Sequence, residues 1–270
     1  MVRTKSTGVK KGKSTSDSGS VNVYGIDGKI KGKVKLPEVF NTPFRPDVIR
    51  RYVVSAQSQR RQRYGPAKNA NMRHSVSTWG KGRGVARVQR LAQGRRGAES
   101  PNNVSGRRAH PPKVEHDHGK KLNRKERKFA RYSALAACSD ESIVRTRGHK
   151  FREKTTLPVV VDDDFEKMNG SGSIYDFLGA IGLQEDVVRA KEGIHVRAGR
   201  GKMRGRRLRK PRSLLIIANK GAPVLKGAVN LPGINTTTPE NLNAEHLAPG
   251  GDPGRLVLIT KSALGRIGGE

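Results

Sequence analysis

The sequence has 270 residues, with 55 Lys and Arg against 23 Asp and Glu, and a formal net charge of +32. That length holds one ordinary domain with an extension, or two small domains, and a hydrophobic content of 33%, below the globular average of about 45%, leaves much of the chain outside any core. So one-sided a charge implies a polyanionic partner, and with no apolar run near the ~18 residues of a spanning helix, nucleic acid is favoured over anionic membrane.

Residues 1–20 are a Lys, Ser, Thr and Gly segment without a hydrophobic stretch. They read as a basic flexible tail and not as a secretory signal, which predicts a cytoplasmic protein. From Val21, VNVYGIDGKIKGKVKLP alternates apolar and polar residues around Asp27-Gly28, the pattern of a short hairpin. Beyond FNTPFRP, Asp47 is placed to cap a helix with Ile49, Tyr52, Val53 and Ala56 on one face. Residues 21–56 therefore read as the first part of a globular domain.

The apolar pattern fades near Gln57 and resumes only around the prolines of HPPK. Between Arg50 and Arg108 the only acidic side chain is Glu99, and Gly, Ser, Asn and Gln fill most positions not taken by Arg or Lys. Such a segment cannot offset the entropy of its own ordering, so it stays extended in water until phosphates neutralise it. Residues 57–110 are expected to form an extended arm that penetrates RNA, with a reach of roughly 90 Å if both limbs are extended at ~3.3 Å per residue. Its candidate RNA-binding cations include Arg60, Arg61, Arg63, Arg73, Arg90, Arg95 and Arg96, and the rings of Tyr64, His74 and Trp79 offer faces for unpaired bases. The other reading is a disordered linker between two domains.

Residues 111–270 read as the remainder of the globular domain. In LNRKERKFARYSALAACS, Asn123 and Glu126 have capping-box spacing, and Leu122, Phe129 and Ala136 recur a heptad apart. The opposite face carries Arg124, Lys125, Arg127, Lys128 and Arg131, either simply solvated or facing phosphates. LPVVV, from Leu157, reads as a buried parallel strand. Ser173 caps a helix striped by Ile174, Phe177, Leu178 and Ile181, with another helical turn or two from Gln184 to Lys191. SLLIIAN and RLVLIT are further buried strands, Thr238-Pro239-Glu240 reads as a helix start, and KSALGRI as a last short helix. Strands separated by helices predict an α/β fold, a largely parallel sheet with flanking helices, into which the arm is inserted. A second basic stretch, Val196 to Arg212, includes Lys202, Arg204, Arg206, Arg207 and Arg209; it reads as another RNA-facing surface or a solvated loop.

Chemistry-bearing constellations are weak. The glycines of GKGRG and GRGK match neither a dinucleotide fingerprint nor a phosphate loop. Asp162, Asp163 and Asp164 follow a strand, where a magnesium site is conceivable, but they read better as a capped, solvated turn. His110, His116 and His118 lack zinc spacing. The lone Cys138 rules out an intramolecular disulfide and reads as a small buried hydrophobe. No catalytic, metal or cofactor site is expected.

Several segments resemble the universal large-subunit ribosomal protein number four family, in its archaeal and eukaryotic form. They are LPEVFNTPFRPDVIRR, WGKGRGVARV, SGRRAHPPK, LNRKERKFARYSALAA, LPVVVDDDFE, AGRGKMRGRRLRKPRSLLII and LAPGGDPGRLVLITKSAL, in the family's order. The resemblance implies a structural constituent of the large ribosomal subunit without enzymatic activity, whose arm stabilises rRNA folding and helps line the polypeptide exit tunnel. Its implied partners are large-subunit rRNA, neighbouring ribosomal proteins including one whose hairpin shares the tunnel constriction, and the nascent polypeptide. It places the arm tip in or near Ser75–Val88, with Trp79, Lys81, Arg83 and Arg87 facing RNA or tunnel. Arg107 and Arg108 would hold the returning limb, and Lys202, Arg204, Arg206 and Arg207 would bind RNA from the globular domain. The stretch QRLAQGRRGAESPNNV matches the family only loosely. A free RNA chaperone or chromatin-type binder would use the same charges, and a nucleotide enzyme would use the Asp162 cluster.

Overall fold

The structure, a computed structural model, describes residues 19–153 and 155–268, so the tail expected over residues 1–20 lies almost wholly outside the described residues. The described chain divides into two units. One comprises the residues up to Ser55 with those from Lys121 onward; the other is Ala56–Lys120.

Taken in chain order, β1 (Ser20–Tyr24) and β2 (Ile30–Lys35) form the expected antiparallel hairpin. Gly28 turns the chain at φ +72°, and a Cβ there would lie 2.8 Å from Ala180 Cβ. A left-handed residue costs ~1–2 kcal/mol without glycine, and the clash adds to it. Gly28→Ala is therefore expected to lose about 2 kcal/mol in urea unfolding; a loss within ~0.5 kcal/mol, typical of a neutral surface site, would show that the turn relaxes.

α1 (Pro46–Gln59) buries Ile49 and Val53 and half-buries Tyr52 and Ala56. Asp47 does not cap it. Pro46, with its fixed φ, opens the helix, and the Asp47 carboxylate instead accepts from Arg45 Nε and Nη2 at 3.0 and 2.8 Å. The other unit contributes β3 (Val76–Ser77) and β4 (Arg90–Leu91).

α2 (Arg124–Ser139) starts where expected, but the capping box is not formed. The Asn123 side chain makes no cap bond, and Glu126 turns to Arg51 Nη1 at 3.3 Å. The buried face also differs: Ala130, Ser133, Ala134, Leu135, Ala137 and Cys138 point inward, leaving Leu122, Phe129 and Ala136 half-buried. Small side chains let this helix seat closely in the apolar cluster on its inner side, which a phenylalanine at those positions would prevent. Cys138 packs as a small hydrophobe, its thiol pushed up to about 12 by burial.

Asp140 caps α3 (Glu141–Thr146), accepting from Ser142 N at 2.9 Å. β5 (Val159–Val161) is wholly buried. α4 (Ser171–Ile181) buries the expected stripe, yet it begins before Ser173, whose Oγ donates to Gly170 O at 2.9 Å from inside the first turn. α5 (Gln184–Glu192) follows, then the paired β6 (His195–Val196) and β7 (Leu208–Arg209), β8 (Leu215–Ile217) and α6 (Val224–Gly227). β9 (Asn235–Thr237) leads into Thr238-Pro239-Glu240, which is a turn and not a helix start: Asn241 N donates to Thr238 O at 3.2 Å. The helix comes later, as α7 (Ala244–Leu247), with Asn243 accepting from His246 N at 2.9 Å. β10 (Val257–Thr260) and α8 (Lys261–Gly268) close the chain's described part.

The main sheet runs β2-β1-β5-β10-β8-β9, with all neighbours parallel except the β1–β2 pair. Strand alternation assigns the two faces. Val160, Leu215, Ile217, Val257 and Ile259 join one apolar cluster with residues of α1, α2, α7 and α8. Val159, Val161, Leu214, Ile216 and Leu258 join a second with residues of α3, α4, α5 and α6. Helices thus cover both faces, as the continuous apolar strands required. The fold is mixed α/β with a mostly parallel central sheet.

Candidate nucleic-acid interface

Within Ala56–Lys120, Ala98 is the single buried residue. Polar and backbone contacts join the first and second halves of this unit, met in nested sequence. Lys120 N donates to Ser58 Oγ at 3.0 Å, Arg63 Nη2 lies 3.8 Å from Asp117, and Asn71 Nδ2 donates to Gly106 O at 3.4 Å. Gly65 packs so closely that a Cβ would meet Pro112 O at 2.6 Å. Farther along, β3 pairs with β4, Val76 opposite Leu91.

Between these two strands lies the glycine-rich turn. Gly80, Gly82 and Gly84 all have positive φ, at 76°, 78° and 64°, so Lys81 and Arg83 alternate with left-handed positions that only glycine takes cheaply. Trp79 is 37% exposed, with Arg90 stacked 5.3 Å from its ring centroid. Arg90 also donates to Arg95 O at 2.5 Å and Ala86 O at 3.3 Å, so this guanidinium shapes its own segment. The loosely matching stretch that follows folds locally around Ala98: Ala98 N donates to Gln89 O, Leu91 N to Arg96 O and Arg107 N to Glu99 O. Arg60, Arg61, Arg63, Tyr64, Arg73, Lys81, Arg83, Arg87, Arg95, Arg96 and Arg108 are exposed, while Arg90 and Arg107 are half-buried. Tyr64, at 78% exposure, presents nearly its whole ring.

The second basic stretch is a hairpin in the α/β unit. β6 and β7 form its stem, Arg197 N donates to Arg207 O at 2.8 Å, and Arg204 N and Arg206 N both donate to Gly201 O at 3.1 Å. Lys202, Arg204, Arg206, Arg207 and Arg209 are all exposed on this framework.

Its root is held by buried charge that sequence reasoning missed. Asp186 on α5 accepts from Ser213 Oγ at 2.7 Å, Arg189 Nε at 2.9 Å, Lys150 N at 3.1 Å and His149 Nδ1 at 3.1 Å. Arg189 also donates to Arg212 O at 2.9 Å. One signal was available: Asp186 lies among Leu183, Val187 and Ala190 on the helix's apolar stripe, where an unpaired carboxylate is intolerable. This is no hydrolytic triad, because the serine bonds to the carboxylate and not to the histidine.

Burial pushes His149 below its ordinary value despite the neighbouring carboxylate, so the neutral ring donates through Nδ1. Asp186 is held down to about 2: burial opposes ionisation, but hydrogen bonds from His149, Arg189 and Ser213 win. The unfolded chain therefore binds protons that the folded one refuses, first at His149 below about pH 6.5, then at Asp186 below about pH 4. Both contributions are complete above those values and lost as pH falls. The urea midpoint is expected to decline from pH 7 to 5, and His149→Asn, which keeps a donor near the Nδ1 position, should flatten that decline; an unchanged slope would remove His149 as its source.

Arg255, only 1% exposed, grips the same region from the other side. It donates to Ser213 O, Leu214 O, Gly233 O, His246 O and Asn235 Oδ1 at 2.8 to 3.3 Å. Burial lowers it to about 9.

The acidic triplet is engaged in the fold. Asp162 pairs with Lys31 at 2.6 Å, Asp163 Oδ1 accepts from Ser262 N and Oγ at the start of α8, and Asp164 pairs with Lys167 at 2.8 Å. Among the described residues no group of three or more His, Cys, Asp or Glu is placed to hold a metal ion, and no helix is long and apolar enough to cross a membrane.

Residues 34–270 match the model of the ribosomal protein L4/L1 family. The relatives include the large ribosomal subunit protein uL4 of Methanococcoides burtonii, 46% identical over 250 residues, which cover 93% of this chain and 98% of that one. The proteins of the same name from Archaeoglobus fulgidus and Haloquadratum walsbyi are each 46% identical over 246 residues, 91% of this chain and 97% of theirs.

Proposed function

The chain belongs to the ribosomal protein L4/L1 family, and from that premise we propose that it is a structural, non-enzymatic constituent of the cytoplasmic ribosome's large subunit. Residues 57–110 act as an arm that threads folded rRNA, with its tip, about Trp79 to Arg87, beside the path of the nascent polypeptide and a hairpin of a neighbouring ribosomal protein. Residues 21–56 and 111–270 form the domain that anchors it.

The observation that carries this reading is the near absence of burial in Ala56–Lys120 beside its density of exposed Arg and Lys. A segment with one buried alanine gains its ordered state from phosphates and not from a core. Arg60, Arg61, Arg63, Arg73, Lys81, Arg83, Arg87, Arg95, Arg96, Arg107 and Arg108 neutralise RNA where packed helices would repel each other. Tyr64 and Trp79 stack on bases, and Arg90 keeps the turn in shape around Trp79. Lys202, Arg204, Arg206, Arg207 and Arg209 bind RNA from the domain side.

Sucrose-gradient sedimentation of native extract tests the assignment. The chain should stay with the large subunit through a high-salt wash; running free, or spreading over all RNA-containing fractions, would mark a general RNA binder. At the level of contacts, neutralising Lys202, Arg204, Arg206 and Arg207 to Gln should flatten the slope of log affinity against log salt by about 3, at ~0.7–0.9 per phosphate contact. A slope that does not change would take the hairpin off the contact surface.

A further inference from the structure

A third cationic surface lies on α2. Arg124, Arg127 and Lys128 occupy positions i, i+3 and i+4, so they share one helix face within about one turn, roughly 5 Å along the axis. All three are exposed. They line an open cleft of about 490 Å³ together with Tyr52, Arg131, Leu242 and Asn243.

Two observations separate this cleft from an ordinary solvated face. Glu126, the acid of the helix's first turn, does not balance these cations, because it turns to Arg51 on α1 at 3.3 Å. The charges also stand at the end of the helix where its dipole disfavours cations, so they are not there for helix stability. Lining one concavity, the three side chains add their fields in one place. The side chains lining the cleft supply the site, not the helix end.

The geometry points to this cleft as a docking site for the sugar-phosphate backbone of RNA, additional to the hairpin and the arm and without sequence readout. The inference rests on the RNA-binding reading given above. An acidic protein is the less suitable occupant. Protein interfaces centre on exposed aromatic or aliphatic anchors with charge depleted from the middle, whereas here Leu242 is buried, Tyr52 is half-buried and the lining is cationic.

The test uses the full chain and deproteinised large-subunit rRNA, with affinity measured against KCl concentration. R124Q/R127Q/K128Q is expected to flatten the salt slope by about 2–3, at ~0.7–0.9 per contact, and to weaken binding at least tenfold at moderate salt, with an unchanged circular dichroism spectrum. The single variant R127Q, which perturbs the helix less, should flatten it by about one third as much. A steep wild-type slope left intact by both variants, while hairpin neutralisation flattens it, would overturn this site and spare the RNA-binding reading. A wild type with no salt-dependent RNA binding would overturn both. Loss of poly-L-glutamate binding in the triple variant with an unchanged RNA slope would assign the cleft to an acidic protein and overturn the proposal.

Discussion

Arg255→Leu is expected to destabilise the α/β unit by about 3–5 kcal/mol, the cost typical of orphaning partners of a buried charge. Folded domains keep only about 5–15 kcal/mol in hand, so the variant should be marginal at best. The five acceptors of Arg255 belong to the entries of β8 and β9 and to α7, so the guanidinium ties together the starts of neighbouring parallel strands. Leucine fills part of the volume and offers no donor. Arg255→Lys should recover little, because an ammonium has three donors on a flexible stem where the planar fork has five. Urea unfolding with an unchanged m-value would measure it, and a loss below ~1 kcal/mol would mean that water satisfies those carbonyls.

Excising residues 60–119 and joining the ends with a few Gly and Ser should separate folding from function. The removed segment carries fourteen Lys and Arg against three Asp and Glu. Both apolar clusters are built entirely from residues outside it, and Lys120 N already lies 3.0 Å from Ser58 Oγ, so the gap to bridge is short. Stability should change by no more than about 1 kcal/mol, since loop-closure entropy varies slowly with length. RNA affinity should collapse. If six to ten of the lost cations contact phosphates, the wild type loses about 10³–10⁵ in affinity between 50 and 200 mM salt, and the excised chain should show a much shallower response and fail to stay with the large subunit in high salt. Retention of the excised chain at high salt would assign integration to the domain alone.

The elements that were legible in the sequence are those specified by local pattern. LPVVV, SLLIIAN and RLVLIT are apolar on both faces because helices cover both faces, and Asp27-Gly28 announced its hairpin through backbone conformation alone. The starts of helices were less legible. Asp47, Asn123 and Ser173 each had the chemistry of a cap, but Arg45 claimed the first, the second made no cap bond, and the third sits within its helix. β9, with Asn and Thr at its positions, joined the sheet as an edge without an apolar signature. The cations of the candidate interface were readable as residue types, since 23 Asp and Glu cannot balance 55 Lys and Arg. The buried partners that root the hairpin were not, because His149, Asp186, Ser213 and Arg255 meet only through tertiary structure. No spacing rule links them.

The position of β10 bears on how the protein is made. It lies between β5 and β8, near the middle of the sheet, yet it is the last strand among the described residues. As synthesis proceeds from the N-terminus, β2-β1-β5 and β8-β9 can each gather, but nothing joins them until Val257–Thr260 leaves the ribosome. A chain released early therefore holds two half-sheets with raw edges, aggregation-prone and unable to close. Synthesis through Thr260 thus becomes a condition for closing the sheet, and the basic segment belongs to a folded protein only in copies that carry β10.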